Sequence, residues 1–177
     1  VLAYIFTVAG NTMSGITQGM QPLVSFYYGA RQHQTFRRIL RYGVKTVFVC
    51  SVIMVAGLQA AGGKAVGVFL EEENAGLFDV TVDALRLYCL SFLLMGYNIL
   101  ISGFLTAINS PNYSLVISVC RSFLFLAISL AVMSALFGAA GIWLASLVSE
   151  GMCLAVTIKL YERWKKQADF AVSHAAV

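Results

Sequence analysis

Long apolar stretches separated by short polar connections make up most of this chain. Their apolar residues run on without the alternation expected of a half-buried strand, so each stretch is predicted to be a helix. Each also reaches the roughly 20 residues that a helix needs to cross about 30 Å of hydrocarbon. The five stretches are 1–28, 42–61, 83–108, 112–137 and 142–161.

Composition places these helices in a membrane. Of the 177 residues, 59% are hydrophobic and only 11% are charged. A soluble domain carries about a quarter charged residues, and this chain has too few to cover a water-exposed surface. We therefore predict an all-α integral membrane protein, a polytopic helix bundle whose surrounding partner is the lipid bilayer. No nucleic-acid partner is expected.

The basic residues predict an orientation. Nine of the twelve Lys and Arg residues lie near the first connection or the C-terminal end, and only Lys64 and Arg86 lie on the other side. Because cytoplasmic loops carry the excess of Lys and Arg, we expect the C-terminus to be cytoplasmic and the protein to reside in the plasma (inner) membrane. The nine are Arg31, Arg37, Arg38, Arg41, Lys45, Lys159, Arg163, Lys165 and Lys166.

The ends and the second connection carry further expectations. The first residue is Val1, and no signal-peptide pattern follows it, so we expect a piece of a longer chain. Residues 1–166 are predicted to form the membrane part, and 167–177 a loosely ordered cytoplasmic tail. The acidic run 71–73 in the second connection is expected to be solvated.

Two charged residues fall inside predicted spans, where a charge costs about 2.5–3.5 kcal/mol at a helix centre. At 1.5 Å per residue, Arg121 lies about 13 Å and Glu150 about 16 Å from the same side of the membrane. A short turn joins their helices, which are therefore expected to be antiparallel neighbours. We predict that the two residues pair or line the same polar cavity, either as a fixed structural pair or as part of a transport path.

Other polar residues at depth are candidates for solute handling. Glu150 is the better candidate for cation or proton coupling, because a carboxylate in an apolar setting can gain and lose a proton near neutral pH. Pro22 removes the backbone bond to the carbonyl of Gln18 and is predicted to act as a helix hinge. Polar contacts between helices are the alternative role for the amides. The substrate-cavity candidates are Gln18, Gln21, Asn98 and Tyr97.

Three glycines carry local expectations. Gly15 and Gly19 form a GxxxG pair, which predicts close packing of the first helix against a neighbour. Gly29 is predicted to end that helix in the left-handed conformation.

Enzymatic chemistry has almost no residues to support it. HExxH, Walker-type, GxSxG and dinucleotide-binding patterns do not occur in the sequence. The four cysteines lie far apart, without metal-ligand spacing. We therefore expect no enzyme, no metal site and no cofactor other than a coupling ion.

Three stretches together resemble a known family. GITQGMQPLVSFYYGARQ (15–32) carries Gln-Pro in a helix that ends in Gly-Ala. GFLTAINSPNYSLVISVCRSFLFL (103–126) contains a turn followed by Arg121, and LFGAAGIWLASLVSEG (136–151) combines Phe-Gly, Gly-Ile-Trp and Glu150. These stretches are similar to MATE (multidrug and toxic compound extrusion) transporters, in particular the MepA-like branch. The resemblance extends from Asn11 to Lys166.

The resemblance implies twelve helices in two halves of six, of which the five stretches would be helices eight to twelve. A missing N-terminal half of the same transporter would then be a partner. The implied activity is secondary active antiport, with small cationic or amphipathic organic compounds exported in exchange for Na⁺ or H⁺ by alternating access. Some branches carry an acidic coupling residue in the tenth helix, where this chain has Tyr97 and Asn98.

Two other functions stay open. A lipid-linked oligosaccharide flippase of related architecture would need several cationic residues in its cavity to meet phosphate, and here only Arg121 qualifies. A non-transporting membrane scaffold subunit would have its intramembrane polar residues satisfy one another in dry helix contacts.

Overall fold

The computed structural model describes residues 2–67 and 75–174 of the chain. Every regular element within these ranges is helical, and a short π-helical segment, Cys120–Leu124, separates α5 from α6. The acidic run 71–73, which is predicted to be solvated, lies outside the described residues. The helices are α1 (Leu2–Gly29), α2 (His33–Gly67), α3 (Ala75–Tyr88), α4 (Ser91–Ala107), α5 (Pro111–Val119), α6 (Phe125–Phe137) and α7 (Ala139–His174).

Several of the described helices are long and apolar enough to cross a membrane. Three qualify individually, namely His33–Lys64, Pro111–Phe137 and Ala140–Gln167. A fourth is obtained if the pair formed by Phe78–Tyr88 and Ser91–Ala107, which is bent by 43°, counts as one span. The 28 residues of α1 include no charged side chain, but its amides, hydroxyls and glycines lower its hydropathy. The helix bundle is confirmed, whereas the count of five spans is only approximate.

Two predicted boundaries differ from the structure. α2 already begins at His33, so Arg37, Arg38 and Arg41 lie in its first turns rather than in a long loop. Phe36 and Leu40 are buried, and their spacing of four residues keeps one face of this extension packed on the bundle. The predicted span 83–108 is not continuous, because it breaks between α3 and α4.

The end of α1 is capped differently from the prediction. The left-handed residue is Arg31, with φ of 57°, and not Gly29. The N–H of Gln32 donates to the carbonyl of Tyr27, and the N–H of Arg31 donates to that of Tyr28, both at 3.0 Å. This pair of bonds is the Schellman arrangement, which satisfies the last carbonyls two residues beyond the predicted stop.

The centre of the bundle is α4. It packs against α1, α2, α5 and α7, and more than half of its residues are buried. Gly103 permits the closest approach to α1, because a Cβ at this position would clash with Cγ2 of Thr17. At the end of the bundle where α4 finishes, Phe104 packs edge-on against Trp164 of α7, with ring centroids 5.5 Å apart.

The turn between α6 and α7 is tight. Gly138 takes a positive φ of 59°, which a side chain would disfavour. A Cβ at Gly141 would run into the carbonyl of Met133, so only glycine lets the start of α7 lie against the end of α6. The two helices are therefore antiparallel neighbours, as the short turn predicted.

The last helix continues further than expected. α7 extends to His174, so the described part of the predicted tail, 167–174, is helical and continues the last span, and its cytoplasmic location stays a prediction. The residues that follow the apolar part of α7 include Glu162, Lys165, Lys166 and Gln167, which are good helix formers and favour continuation of the helix.

Candidate functional site

A buried ion pair joins the helix that contains Arg121 to α7. Nε of Arg121 lies 2.9 Å from Oε1 of Glu150. The Glu150 side chain is 6% exposed and that of Arg121 is 22% exposed, so both charges are largely removed from solvent. At this separation each of the two buried charges is compensated directly by the other. The predicted contact between the two residues is thus present in the structure.

Asn98 of α4 completes the arrangement. Its Nδ2 donates to Oε2 of Glu150 at 2.8 Å and to the backbone carbonyl of Glu150 at 3.1 Å. Each carboxylate oxygen therefore has its own donor, Arg121 on one side and Asn98 on the other. We call these three residues the Glu150 centre.

One atom of the Glu150 centre is left over. Oδ1 of Asn98 is buried and has no hydrogen-bond partner among the described residues. The amide cannot simply be reversed, because both contacts of its Nδ2 are to oxygen atoms that only accept. A buried, unpaired carbonyl oxygen is costly, so a donor, a water or a cation beside it would lower the free energy of this site.

The helix carrying Arg121 is irregular at this point. Arg121 is the second residue of the π-helical segment Cys120–Leu124. One extra residue in a turn rotates the following side chains by about 100° around the axis, which changes the face they present to α7. Such π-turns are rare and occur frequently at functional sites.

Two small cavities flank the Glu150 centre, and both include Arg121 and Ser122 in their walls. The glutamate cavity, of about 260 Å³, lies beside the carboxylate and is also lined by Phe6, Tyr88, Leu126, Ser146, Ser149 and Glu150. The serine cavity, of about 130 Å³, lies beside the amide and is also lined by Ser14, Asn98, Ile99, Ser102, Ile117 and Ser118. The carboxylate thus borders a space large enough for water, which requires only about one probe volume.

Hydroxyl groups connect α4 to α5 at the wall of the serine cavity. The Ser102 Oγ lies 2.9 Å from the Ser114 Oγ and 3.2 Å from the Ser118 Oγ. Thr106 donates to the Ser114 Oγ at 2.8 Å. These contacts fix α5 against α4 and thereby the start of the π-helical segment that presents Arg121.

The break between α3 and α4 lies next to the glutamate cavity, where Tyr88 ends α3. Ser91 donates to the carbonyl of Tyr88 at 2.7 Å, and Nε2 of Gln59 donates to the carbonyl of Arg86 at 3.1 Å. These side chains satisfy carbonyls that the interrupted helix leaves without backbone donors. Broken helices are tolerated at membrane depth where protein or a cavity surrounds the freed groups.

The four substrate-cavity candidates do not share one cavity in the described part of the chain. Asn98 borders the serine cavity, but Tyr97 faces the other side of α4, toward α2 and α7. Gln21 is half-buried and donates to the carbonyl of Gly103 at 3.3 Å, so it holds α1 against α4. Gln18 is exposed. Their role in substrate binding stays a prediction.

Gln18 belongs to a polar face of α1 that no other part of the described chain covers. The GxxxG packing prediction fails within these residues, because a Cβ at Gly15 or Gly19 would meet nothing within 4 Å. α1 nevertheless runs through Pro22 as one helix, and the role of that proline as a hinge stays a prediction. We define this α1 polar face as Asn11, Gly15, Gln18, Gly19 and Pro22, all of them exposed.

The serines of both cavities were not singled out from the sequence. Ser114, Ser118 and Ser122 recur every four residues, a spacing that places them on one helical face together with Arg121. Hydroxyls at regular spacing beside a charge in an apolar stretch would have indicated this lining. Among the described residues, no group of three His, Cys, Asp or Glu side chains could hold a metal ion.

The spans, the broken helix and the buried ion pair together define a multi-pass membrane protein with a polar centre inside its bundle. The model of the MatE family matches residues 1–133, more than half of the chain. The chain belongs to the MatE family.

Relatives and solved structures agree with this assignment. The chain is 22% identical over 148 residues to the multidrug export protein MepA of Staphylococcus aureus (strain NCTC 8325 / PS 47), a match that covers 83% of this chain. It covers 32% of that relative, so it spans about a third of the length of the curated proteins it matches.

Two of the similar structures are described as the inward-facing and the outward-facing conformation of a multidrug resistance MATE family transporter of the MOP superfamily. The inward-facing structure matches with a TM-score of 0.85 and 17% identity, over 94% of this chain and 38% of that one. The outward-facing structure matches with a TM-score of 0.83 and 17% identity, over 93% and 37%. At this identity the likeness shows the fold.

Proposed function

We propose that the chain is part of a secondary active antiporter that exports small cationic or amphipathic organic compounds in exchange for Na⁺ or H⁺. Membership of the MatE family supports this class of function. The observation that carries the proposal is the Glu150 centre, where a buried carboxylate holds two donors and borders a cavity. The Lys and Arg distribution supports a plasma-membrane location with a cytoplasmic C-terminus. No catalytic role is proposed.

The Glu150 centre can exist in two states that differ in charge. With Glu150 ionised, the carboxylate binds Arg121 and Asn98 and ties the π-helical segment and α4 to α7. When a proton or a cation neutralises the negative charge of Glu150, Arg121 loses its counter-charge. Its guanidinium then has a lower free energy if it turns toward the neighbouring cavities, where water can solvate it. A change in occupancy then shifts the balance between two helix arrangements, which is what coupling requires.

The part of the transporter represented here would move largely as one unit. Its fold matches the inward-facing and outward-facing structures almost equally, with TM-scores of 0.85 and 0.83. Alternating access by rigid rocking of one half against the other predicts such a likeness to both states. The missing N-terminal half would supply the other wall of the cleft.

The two alternative functions have less support. A lipid-linked oligosaccharide flippase needs free positive charge in its transport cavity to meet phosphate, whereas the cation beside the two central cavities, Arg121, is already paired with Glu150. A scaffold subunit needs polar groups that satisfy one another in dry contacts, whereas Oδ1 of Asn98 is unpaired among the described residues and cavities flank the centre.

Ion-driven efflux in vesicles tests the proposal. The intact protein, reconstituted with an imposed Na⁺ or H⁺ gradient, is expected to move a fluorescent organic cation such as ethidium, with Glu150→Gln reducing the rate to that of empty vesicles. Glu162→Gln is the matched control, because Glu162 is an exposed acid on the same helix and its loss should leave efflux unchanged.

The result also separates the alternatives. If the wild-type protein moves the organic cation at the same rate with and without an ion gradient, the antiport claim is wrong. If Glu150→Gln leaves the efflux rate unchanged, the Glu150 centre is not part of the mechanism. Na⁺ and H⁺ gradients applied separately identify the coupling ion.

A further inference from the structure

An open cleft lies between α2, α4 and α7, and its lining shares no residue with the two cavities beside the Glu150 centre. Its deep part is a groove of about 470 Å³ with almost entirely apolar walls, including Val47, Phe48, Leu93, Leu94, Leu154 and Ile158. Its mouth is a second hollow of about 350 Å³ whose lining includes Arg37, Arg41, Tyr161 and Lys165. The two parts adjoin, because Val44 and Tyr97 line both. We call the whole the basic cleft.

The basic cleft has the length of one membrane leaflet. From Lys165 at its mouth to Leu154 at its deep end there are eleven residues of α7, or about 16 Å. Half of the roughly 30 Å hydrocarbon core is about 15 Å. α2 shows the same order from charged to apolar along the cleft, with Arg37 and Arg41 at the mouth and Phe48 in the deep groove. The charged end therefore lies at one membrane boundary and the apolar groove within the adjoining leaflet.

The charges at the mouth and along the adjoining groove are strongly one-sided. Arg41 and Lys165 at the mouth and Lys45 in the wall of the groove are exposed, and Arg37 at the mouth is half-buried. Among the residues whose side chains the structure describes, Glu162, three residues before Lys165 on α7, is the acidic residue nearest to Lys165 in sequence. Four cations and one anion in this described part give a net charge of +3. Such a mouth repels organic cations and attracts phosphate.

The groove itself presents apolar surface that is open to its surroundings. Phe48 is 60% exposed and Ile158 is 40% exposed, although both line a concave surface rather than a flat helix face. A cleft of about 300–1,000 Å³ is the usual size of a specific ligand site. Basic residues that merely reach up to the membrane boundary would need no groove beneath them.

From this combination we propose that the basic cleft binds one anionic phospholipid of the cytoplasmic leaflet. Its phosphate contacts Arg41, Lys45 and Lys165, and one acyl chain lies along the groove between α2 and α7. Basic pockets between spans on the cytoplasmic side are the general form of such sites. The inference rests on the proposed membrane orientation and not on the transport activity.

Lipid binding to the intact protein tests the proposal independently of efflux. Native mass spectrometry in detergent is carried out with dioleoyl phosphatidylglycerol and, separately, with dioleoyl phosphatidylcholine. We expect one phosphatidylglycerol to bind at least about tenfold more tightly than phosphatidylcholine, since each basic side chain near a lipid surface contributes a factor of about five. The variant R41Q/K45Q/K165Q should lose this preference. Arg37 is left unchanged because it already interacts within the chain.

A matched control removes the same charge elsewhere. The variant R38Q/R163Q/K166Q neutralises three exposed cations of the same two helices that do not line the cleft, and it should retain the phosphatidylglycerol preference. Equal loss in both triple variants would mean that net charge alone attracts the lipid, and this would overturn the proposal.

A second variant tests the acyl chain. Leu154→Trp fills the groove without changing charge and should weaken phosphatidylglycerol binding, whereas Ile142→Trp, at an exposed position of the same helix outside the cleft, should not. Soluble glycerol phosphate should fail to compete with the lipid. Competition by glycerol phosphate at the same concentration, or unchanged lipid binding in Leu154→Trp, would overturn the assignment of a lipid.

Discussion

The Glu150 centre and the α1 polar face both place hydrophilic groups at membrane depth, but they differ in whether these groups have partners within the described chain. In the Glu150 centre the carboxylate has a donor on each oxygen, both supplied by this chain. On the α1 polar face, Gln18 is exposed, and glycines open the surface beside it. The first region is internally compensated, and the second presents its polarity outward.

The difference shows what each region can do. A charge that is compensated inside the bundle can switch state without exposing itself to lipid, which suits ion coupling. An exposed amide on a glycine-rich face cannot remain against hydrocarbon without cost, so it suits a surface that meets the other half of a transporter or its solute. Three substitution pairs test this distinction, from the largest expected effect to the smallest.

Removing one member of the ion pair is expected to have the largest effect. Arg121→Leu leaves the Glu150 charge without its cation and should lower the free energy of unfolding by about 3 kcal/mol, the low end of the range for a broken buried pair because Arg121 is partly exposed. The double variant R121L/E150L should recover most of this loss. Denaturation of the intact protein by SDS in mixed micelles measures both.

Arg38→Leu, at an exposed arginine of α2, is the control and should stay within about 0.5 kcal/mol of the parent. Glu150→Leu is measured as well, which completes the double-mutant cycle. If the double variant loses as much stability as Arg121→Leu and Glu150→Leu lose in sum, the pair does not act as a unit and the comparison loses its first half.

Adding a methyl group at two glycines should distinguish the packed side of α1, which Gly103 of α4 contacts, from its open side, which carries Gly19. Gly103→Ala introduces a Cβ that clashes with Thr17 and should destabilise the protein by about 1–3 kcal/mol. Gly19→Ala meets open space within a helix and should stabilise it by about 0.5–1 kcal/mol. The same unfolding measurement applies. A large loss in Gly19→Ala would show that this face is packed in the intact protein.

The two glutamines of α1 should separate stability from transport. Gln21→Ala removes the bond to the carbonyl of Gly103 and should cost about 1 kcal/mol of stability with little change in efflux. Gln18→Ala should stay within about 0.5 kcal/mol in stability but change the export of organic cations. Unfolding and vesicle efflux are measured for both variants. The opposite pattern, with Gln18 supporting stability alone, would assign the α1 polar face to packing.

Several features of the candidate site could be predicted from the sequence because they depend on distance along a helix. Arg121 and Glu150 lie at similar depth on helices joined by a short turn, and that was sufficient to predict their contact. Asn98 could be named as a polar residue within a span, but its contact with Glu150 joins α4 to α7 across 52 residues, and no local pattern encodes that distance.

Other features follow from packing and could not be predicted. Gln18 and Gln21 are three residues apart and look equivalent in sequence, but the close approach of α4 at Gly103 captures only Gln21. The break between α3 and α4 at Cys89–Leu90 contains neither proline nor glycine, so no local signal marked it. The π-helical turn around Arg121 likewise has no residue that requires it.

The sequence by itself determined the membrane environment, the helical class and the depth of the charges, because hydropathy, charge count and rise per residue act locally. The family was indicated separately, by the resemblance of three of its stretches to MATE transporters. The tertiary structure alone decided which polar groups meet, which glycines are in contact and where open clefts remain. Those outcomes depend on the rotation of each helix about its axis, which is set by the packing of several helices at once.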